Sequence, residues 1–261
     1  MTGVVAPHTV DAERLRPERS GNPIALITGA NKGIGLEVAR QLGALGHTVL
    51  VGARDAARRA RAVDQLRSGG ADAHGIALDV TDGASIAAAA ESILAQFGRL
   101  DVLVNNAAIK LEFDPAPPSA ATMEVVRETF ETNVFGVIAV TQAMLPLLRL
   151  SRAARIVNLS SGLGSLTLSA FIGTKFQAKP MLSYNVSKTA VNSITVQFAN
   201  ELRDAGIKVN AADPGYTHTD MTLNQGGKPV ARGAAVVVRL ATLDAAGPSG
   251  AFFDENGPMP W

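Results

Sequence analysis

The sequence predicts an α/β fold: a single domain built on a doubly wound parallel sheet of about seven strands, with helices on both faces. Three observations lead there. Short β-branched runs alternate with longer Ala- and Leu-rich stretches along most of the chain, the pattern of strand–helix–strand units. The strand candidates are apolar on both faces, as expected when helices cover both sides of a parallel sheet. The 261 residues show neither an internal repeat nor a linker, and α/β chains of this length often form one domain.

The elements follow in order. Residues 1–21 hold Asp11, Glu13, Arg14, Arg16, Glu18 and Arg19 without a long apolar run. They read as a flexible polar leader and not as a secretory signal, so the domain is assigned to 22–261. The run I-A-L-I-T marks the first strand at 24–28, and a glycine-rich turn separates it from a helix over 34–45. A strand over 48–53 leads into an Ala- and Arg-rich helix over 55–68, and one over 73–79 into an Ala-rich helix over 82–97. D-V-L-V-N at 101–105 precedes a long helical stretch over 121–150. R-I-V-N-L-S at 155–160 is the fifth strand, and a helix over 184–205 comes before the sixth at 208–213. A helix over 233–241 and a late strand at 250–253 complete the pattern.

Composition excludes several classes. With 47% apolar and 18% charged residues the chain is globular. A formal net charge of +1 gives no electrostatic reason to expect a nucleic-acid or membrane-surface partner. The absence of cysteine removes disulfides, thiolate catalysis and iron–sulfur clusters. His8, His47, His74 and His218 are scattered, which argues against a histidine-based metal site. The longest apolar stretch, 134–148, is interrupted by Gly136, Thr141, Gln142 and Pro146, and reads as too short and too polar to span a bilayer. A soluble cytoplasmic protein is the expectation.

In a doubly wound sheet, ligands bind outside the carboxyl ends of the strands. After the first strand stands T-G-A-N-K-G-I-G, residues 28–35, followed by a helix. Glycines there allow a tight turn, close approach of backbone to phosphate and close packing of helix on strand. The helix N-terminus offers unpaired N–H groups to a pyrophosphate. This context points to nucleotide binding.

The spacing G-x-x-x-G-x-G on Gly29, Gly33 and Gly35 resembles that of the short-chain dehydrogenase/reductase family, and the resemblance extends from Ile24 to Trp261. T-G-A-N-K-G-I-G and G-A-R-D also resemble its carbonyl-reductase branch. The resemblance implies a Rossmann-type fold, a nicotinamide dinucleotide and a small-molecule carbonyl or alcohol substrate. Asn31, Lys32 and Ile34 join the three glycines as the implied cofactor loop. At the end of the second strand an acid usually meets a ribose 2′-OH, whereas an arginine suits a 2′-phosphate. Ala53 fills that slot and Arg54 follows, with Lys32 in reach of the same phosphate. NADP(H) is the expected cofactor, while Asp55, one place on, keeps open a 2′-OH reading; Arg58, Arg59 and Arg61 read as a solvated helix face. By resemblance Asp79 meets the adenine beside Val80, and Asn106, Ala107 and Ala108 line the cofactor. Relatives usually carry Gly where Ala108 stands.

Reduction of a ketone by a nicotinamide leaves an alkoxide that needs a proton. Tyrosine is a poor acid near neutral pH unless a neighbouring cation lowers its pKa. In Y-N-V-S-K, Tyr184 stands four residues before Lys188, on one helix face. The resemblance makes this pair catalytic and has Lys188 hold the nicotinamide ribose. It matches Ser161, of R-I-V-N-L-S-S, to the catalytic serine and Asn133, of E-T-N-V-F-G, to the asparagine of a proton relay through water. Ser160 reads as a structural serine. Pro214, Gly215, Thr217 and Thr219, in D-P-G-Y-T-H-T, match the turn that meets the nicotinamide amide and phosphates.

The segment 162–183 reads as an insertion of the carbonyl-reductase kind, and 221–232, with Gly226 and Gly227, as a mobile lid over substrate. Phe171, Ile172, Phe176 and Met181 either rim an apolar pocket or belong to the core. Monomer and homo-oligomer stay open. The leading expectation is an NADPH-dependent carbonyl reductase. An NADP-dependent alcohol dehydrogenase acting on a secondary-metabolite hydroxyl is the alternative, and an NADP(H)-sensing protein, which would not need Asn133, Ser161, Tyr184 and Lys188 together, is the remote one.

Overall fold

The computed structural model describes residues 21–113, 116–170 and 180–261. The leader over 1–20 and Phe171, Ile172 and Phe176 lie outside the described residues. Seven strands run parallel: β1 (Ile24–Thr28), β2 (Thr48–Ala53), β3 (Ala73–Ala77), β4 (Val102–Asn105), β5 (Arg155–Leu159), β6 (Lys208–Ala212) and β7 (Phe252–Asp254). Their spatial order is β3–β2–β1–β4–β5–β6–β7. An eighth strand, β8 (Gly257–Met259), pairs antiparallel with β7 at the sheet edge. It escaped the sequence reading because three residues with a central Pro258 carry no strand signal, and proline is tolerated only at such an edge.

Both faces of the sheet are covered, as the apolar runs required. Ala25 and Ile27 of β1 pack under α1 (Gly33–Ala44), α2 (Ala56–Ser68) and α8 (Val230–Ala241). Ile24 and Leu26 face the other side, under α3 (Gly83–Phe97), α5 (Gly136–Leu148) and α7 (Leu182–Glu201). Of two shorter helices, α4 (Met123–Phe130) packs on α7 and α6 (Leu166–Ala170) on the turn at 162–164.

The stretch expected as one helix over 121–150 is divided. The Thr122 hydroxyl caps α4, accepting from the Val125 amide. Between α4 and α5 the chain makes one π-helical turn, Glu131–Phe135, with the Gly136 amide donating to the Glu131 carbonyl. Asn133 lies in this turn. Taken together, the 26 residues from Met123 to Leu148, longer than the 134–148 run, are long and apolar enough to cross a bilayer by length and composition alone. Val140, Met144 and Leu148 are nevertheless fully buried against the sheet, as in a core helix.

A buried polar rung crosses the sheet near the carboxyl ends of its central strands. The Asn105 amide donates to Asn158 Oδ1 (2.8 Å) and to Thr141 Oγ1 (3.0 Å), and the Asn158 amide donates to Thr195 Oγ1 (3.0 Å). All four side chains are buried. Removing one member strands its partners away from water, at a cost of about 1–3 kcal/mol. Asn158→Ala is therefore expected to lower the free energy of unfolding by that amount, read as a lower urea midpoint at unchanged slope.

Candidate active site

The strand order reverses direction at β1, whose neighbours β2 and β4 lead to opposite edges. The connections after β1 and β4 consequently diverge and leave a crevice. Its floor is held by Thr28 and Asn106. Thr28 Oγ1 accepts from the amides of Asn106 (3.0 Å) and Ala107 (2.9 Å), and the Asn106 side-chain amide donates to the carbonyls of Thr28 (2.7 Å) and Gly29 (3.3 Å). Asn106, predicted to contact cofactor, thus uses its side chain to hold the glycine loop. A Cβ on Gly35 would lie 2.5 Å from that Asn106 nitrogen, so the position admits only glycine. Gly33 takes φ 58°, in the left-handed region that glycine occupies without strain.

The start of α1 differs from that of its neighbours. Asp55, Asp82 and Thr122 cap α2, α3 and α4 with their side chains. Lys32 stands at the cap of α1, makes no such bond, and the first turn carries no acid. The first-turn amides of Gly33, Ile34 and Gly35, beside Asn31, have no side-chain cap, and a helix start in that state favours an anion. Thr219 approaches this helix start from the other side, its methyl being the nearest atom to a Cβ built on Gly33 (3.7 Å).

The residues assigned to the 2′ position sit at the end of β2. Arg54 is 75% exposed, with Nη1 3.7 Å from Asp79 Oδ2. Asp55 accepts from the Arg58 amide (2.8 Å), which commits it to capping α2. Arg58 pairs with Asp55, whereas Arg59 corrects the solvated-face reading: it is half-buried and donates to the Ala53 carbonyl (2.6 Å). Lys32 forms an ion pair with Asp220 across the crevice (2.7 Å). Asp79 Oδ1 accepts from the Thr81 amide and hydroxyl, and Val80 packs on Gly136 at the start of α5. Ala107 and Ala108 are half-buried. Among the described non-glycine residues only Leu223 and Asn224 have positive φ, so Ala108 accommodates its methyl without strain.

At the carboxyl end of β5 the Ser161 hydroxyl accepts from the Leu163 amide (3.3 Å) and lies beside the Tyr184 phenol. Lys188 is buried, with Nζ 2.8 Å from the Leu159 carbonyl and 5.6 Å from the Tyr184 ring centre. Burial pushes the Tyr184 phenol up, the charge of Asp213 adds to this, and the Ser161 hydroxyl pulls the other way. The expected lowering of the phenol pKa by Lys188 is absent here. Burial in turn lowers Lys188 to about 8, against an opposing pull from Asp213. Ser160 has the structural place expected of it, donating to Asn192 Oδ1 (2.5 Å) and the Lys188 carbonyl (3.3 Å).

Asn133 is buried, and its side chain is fully engaged. Oδ1 accepts from the Ile109 amide (2.8 Å), and Nδ2 donates to the Ile109 carbonyl (2.9 Å) and Ser187 Oγ (3.1 Å). Any water held there needs another atom than its amide. Pro214 and Gly215 form the turn after β6, stabilised by Thr217 Oγ1, which donates to both their carbonyls (3.1 Å each). The segment 221–232 folds back on this turn. Lys228 bridges to Thr217 and pairs with Glu255 (3.0 Å), and Gly226 lies so close to the Thr217 carbonyl that a side chain is excluded. Gly226 is therefore a packing glycine.

Three residues escaped the sequence reading. Gly164 packs on the Lys188 backbone. Asp213, buried between two strand ends, accepts from the amides of Gly215 (2.8 Å) and Gly162, and burial pushes its carboxyl up. Glu112 reaches the start of α7. Asp213 belongs to the quoted motif D-P-G-Y-T-H-T and Gly164 to the segment 162–183, but Gly162 and Lys188, which they meet, lie elsewhere in the chain or on another element.

The family model described as short chain dehydrogenase matches residues 23–228. A short-chain dehydrogenase of Penicillium roqueforti is 40% identical over 84% of this chain and 88% of its own. A (+)-neomenthol dehydrogenase of Capsicum annuum is 31% identical over 88% and 94%. Among solved structures, NADPH-bound carbonyl reductase from chicken fatty liver superposes with a TM-score of 0.79 at 31% identity, over 92% of this chain and all of that one.

A Cβ on Gly164 would lie 2.6 Å from the Lys188 carbonyl carbon and 2.8 Å from its Cβ. Gly164→Ala must therefore displace α7 from β5. The expected outcome is about 1–3 kcal/mol of destabilisation by urea and a loss of turnover of about tenfold or more. Gly83→Ala, where a Cβ meets nothing within 4 Å, is expected to change stability by less than about 0.5 kcal/mol.

Proposed function

The chain belongs to the short-chain dehydrogenase/reductase family, oxidoreductases acting between CH–OH and C=O groups, and from that membership we propose that it is an NADPH-dependent reductase of a ketone, aldehyde or quinone, with Tyr184 as general acid. The observation that carries the reading is the convergence of the Tyr184 phenol, the Ser161 hydroxyl beside it and Lys188 Nζ, 5.6 Å from the phenol ring centre and one turn further along α7. The glycine cradle and uncapped α1 fit a dinucleotide, and a relative of known structure binds NADPH.

In this reading Gly29, Asn31, Gly33, Ile34 and Gly35 hold the pyrophosphate, and Lys32 and Arg54 the 2′-phosphate. Asp79 and Val80 flank the adenine. Asn106, Ala107, Ala108, Pro214, Gly215, Thr217 and Thr219 line the rest of the dinucleotide, and Lys188 also takes the ribose. The bound nicotinamide supplies the hydride. Ser161 donates a hydrogen bond to the substrate oxygen, where negative charge develops. Tyr184 delivers its proton to that oxygen. Burial keeps the phenol protonated near neutral pH, the form that reduction uses. Lys188, at about 8, is charged at neutral pH and stands one turn from the phenolate left behind. Asn133 acts by fixing Ile109 and Ser187 around this group. Residues 162–183 shape the substrate pocket and 221–232 cover it. The setting is cytoplasmic. The resemblance to a neomenthol dehydrogenase favours, as a second reading, oxidation of a secondary alcohol with the same residues.

Two substitutions test the assignment. Tyr184→Phe is expected to abolish carbonyl-dependent NADPH oxidation, followed by absorbance, while NADPH binding measured by fluorescence persists. Retained turnover rejects the role. Arg54→Asp is expected to shift preference toward NADH by at least about tenfold in kcat/KM, since a charge-assisted contact is worth about 1.5–3 kcal/mol. Unchanged preference would mean that the 2′ site lies elsewhere.

A further inference from the structure

Helix α7 carries Tyr184 in its first turn, yet it has no cap of its own: Met181 stands at the cap position and makes no side-chain bond. The first-turn amides are instead taken by a carboxylate from a distant part of the chain. Glu112 Oε1 accepts from the Ser183 amide (3.1 Å), and Oε2 accepts from the Tyr184 amide (3.0 Å) and the Ser183 hydroxyl (2.5 Å). Bonds to an ionised acceptor are roughly twice as strong as neutral ones, and an anion at this end of a helix is favoured by its dipole. Glu112 lies three residues beyond Ile109, which Asn133 grips through both backbone atoms. The loop after β4 is thereby anchored at Ile109 and delivers Glu112 to α7. Ser183 is buried and also receives the Thr129 hydroxyl (3.4 Å).

The two members of the Tyr–Lys pair are consequently held by different means. Lys188, deeper in the helix, is fixed from β5 through the Leu159 carbonyl and through Ser160. Tyr184 hangs from a residue whose own amide ends on Glu112. We infer that Glu112 is a positioning residue for the reaction, its carboxylate fixing the first turn of α7 and thereby the Tyr184 phenol against Ser161. This inference rests on the reading of Tyr184 as general acid.

The test compares Glu112→Ala, Glu112→Gln and Tyr184→Phe with the wild-type enzyme, on one carbonyl substrate, with kcat and the Kd for NADPH measured separately. Glu112→Ala is expected to lower kcat by about 10- to 100-fold, the range that an ångström-scale misplacement produces, with the NADPH Kd unchanged within about twofold. Glu112→Gln keeps one acceptor oxygen and is expected to recover part of the lost rate. It also stands in if the alanine variant does not fold, in which case it must fall below wild type in kcat alone. Wild-type kcat in either folded variant while Tyr184→Phe is inactive overturns the inference and leaves the acid in place. A kcat loss matched by an equal loss of NADPH affinity also overturns it, since that marks general damage. Full turnover in Tyr184→Phe removes the general-acid reading and this inference with it.

Discussion

The site depends on how the chain manages the parting of β1 from β4. Where two parallel strands end and their connections diverge, backbone donors and acceptors lose their ladder partners. Buried polar groups left in that state are costly. Here Thr28 and Asn106 supply the missing partners, joining the two strand ends through a hydroxyl and an amide. The same amide holds the glycine loop so closely that Gly35 has no room for a side chain. The open end of α1, the crevice and the place of a dinucleotide all follow from this one junction.

Polarity rises along the central strands toward that end. Their middles are aliphatic and fully buried, whereas Asn105 and Asn158, at or near their carboxyl ends, form a closed hydrogen-bonded rung with Thr141 and Thr195. Beyond it come Ser160, Lys188 and Asp213, all buried. An ammonium out of water is costly unless it has partners. Lys188 has the Leu159 carbonyl at 2.8 Å and the charge of Asp213 in the same region, and still falls to about 8. The arrangement places the Tyr184 phenol and a weakened cation within one helical turn.

The features legible in the sequence are those that short-range rules govern. Strand–helix alternation specified the sheet, glycine spacing specified the cradle, and a four-residue interval put Tyr184 and Lys188 on one helix face. Other features needed a partner from elsewhere in the chain. No local signal marks the π turn at Asn133, whose side chain finds its partners on the distant Ile109 backbone. Gly164 matters through Lys188, and Glu112 through an amide 72 residues away. Arg59 looked like one of several surface arginines until the Ala53 carbonyl was seen to hold it. The edge strand β8 was too short to register against the rest of the sheet.

The ion pair between Lys32 and Asp220 joins the glycine loop to the start of the segment that crosses in front of it. Both side chains are more than half exposed, so the pair contributes no more than about 1 kcal/mol. A dianion that draws Lys32 away takes this contact from Asp220. Under the proposed cofactor reading, linkage makes the exchange reciprocal: whatever holds 221–232 in its present place would weaken an anion's hold on Lys32, and a bound anion would loosen that segment by the same factor. With so small a pair the factor is about five at most, which biases the order in which two ligands enter without enforcing it.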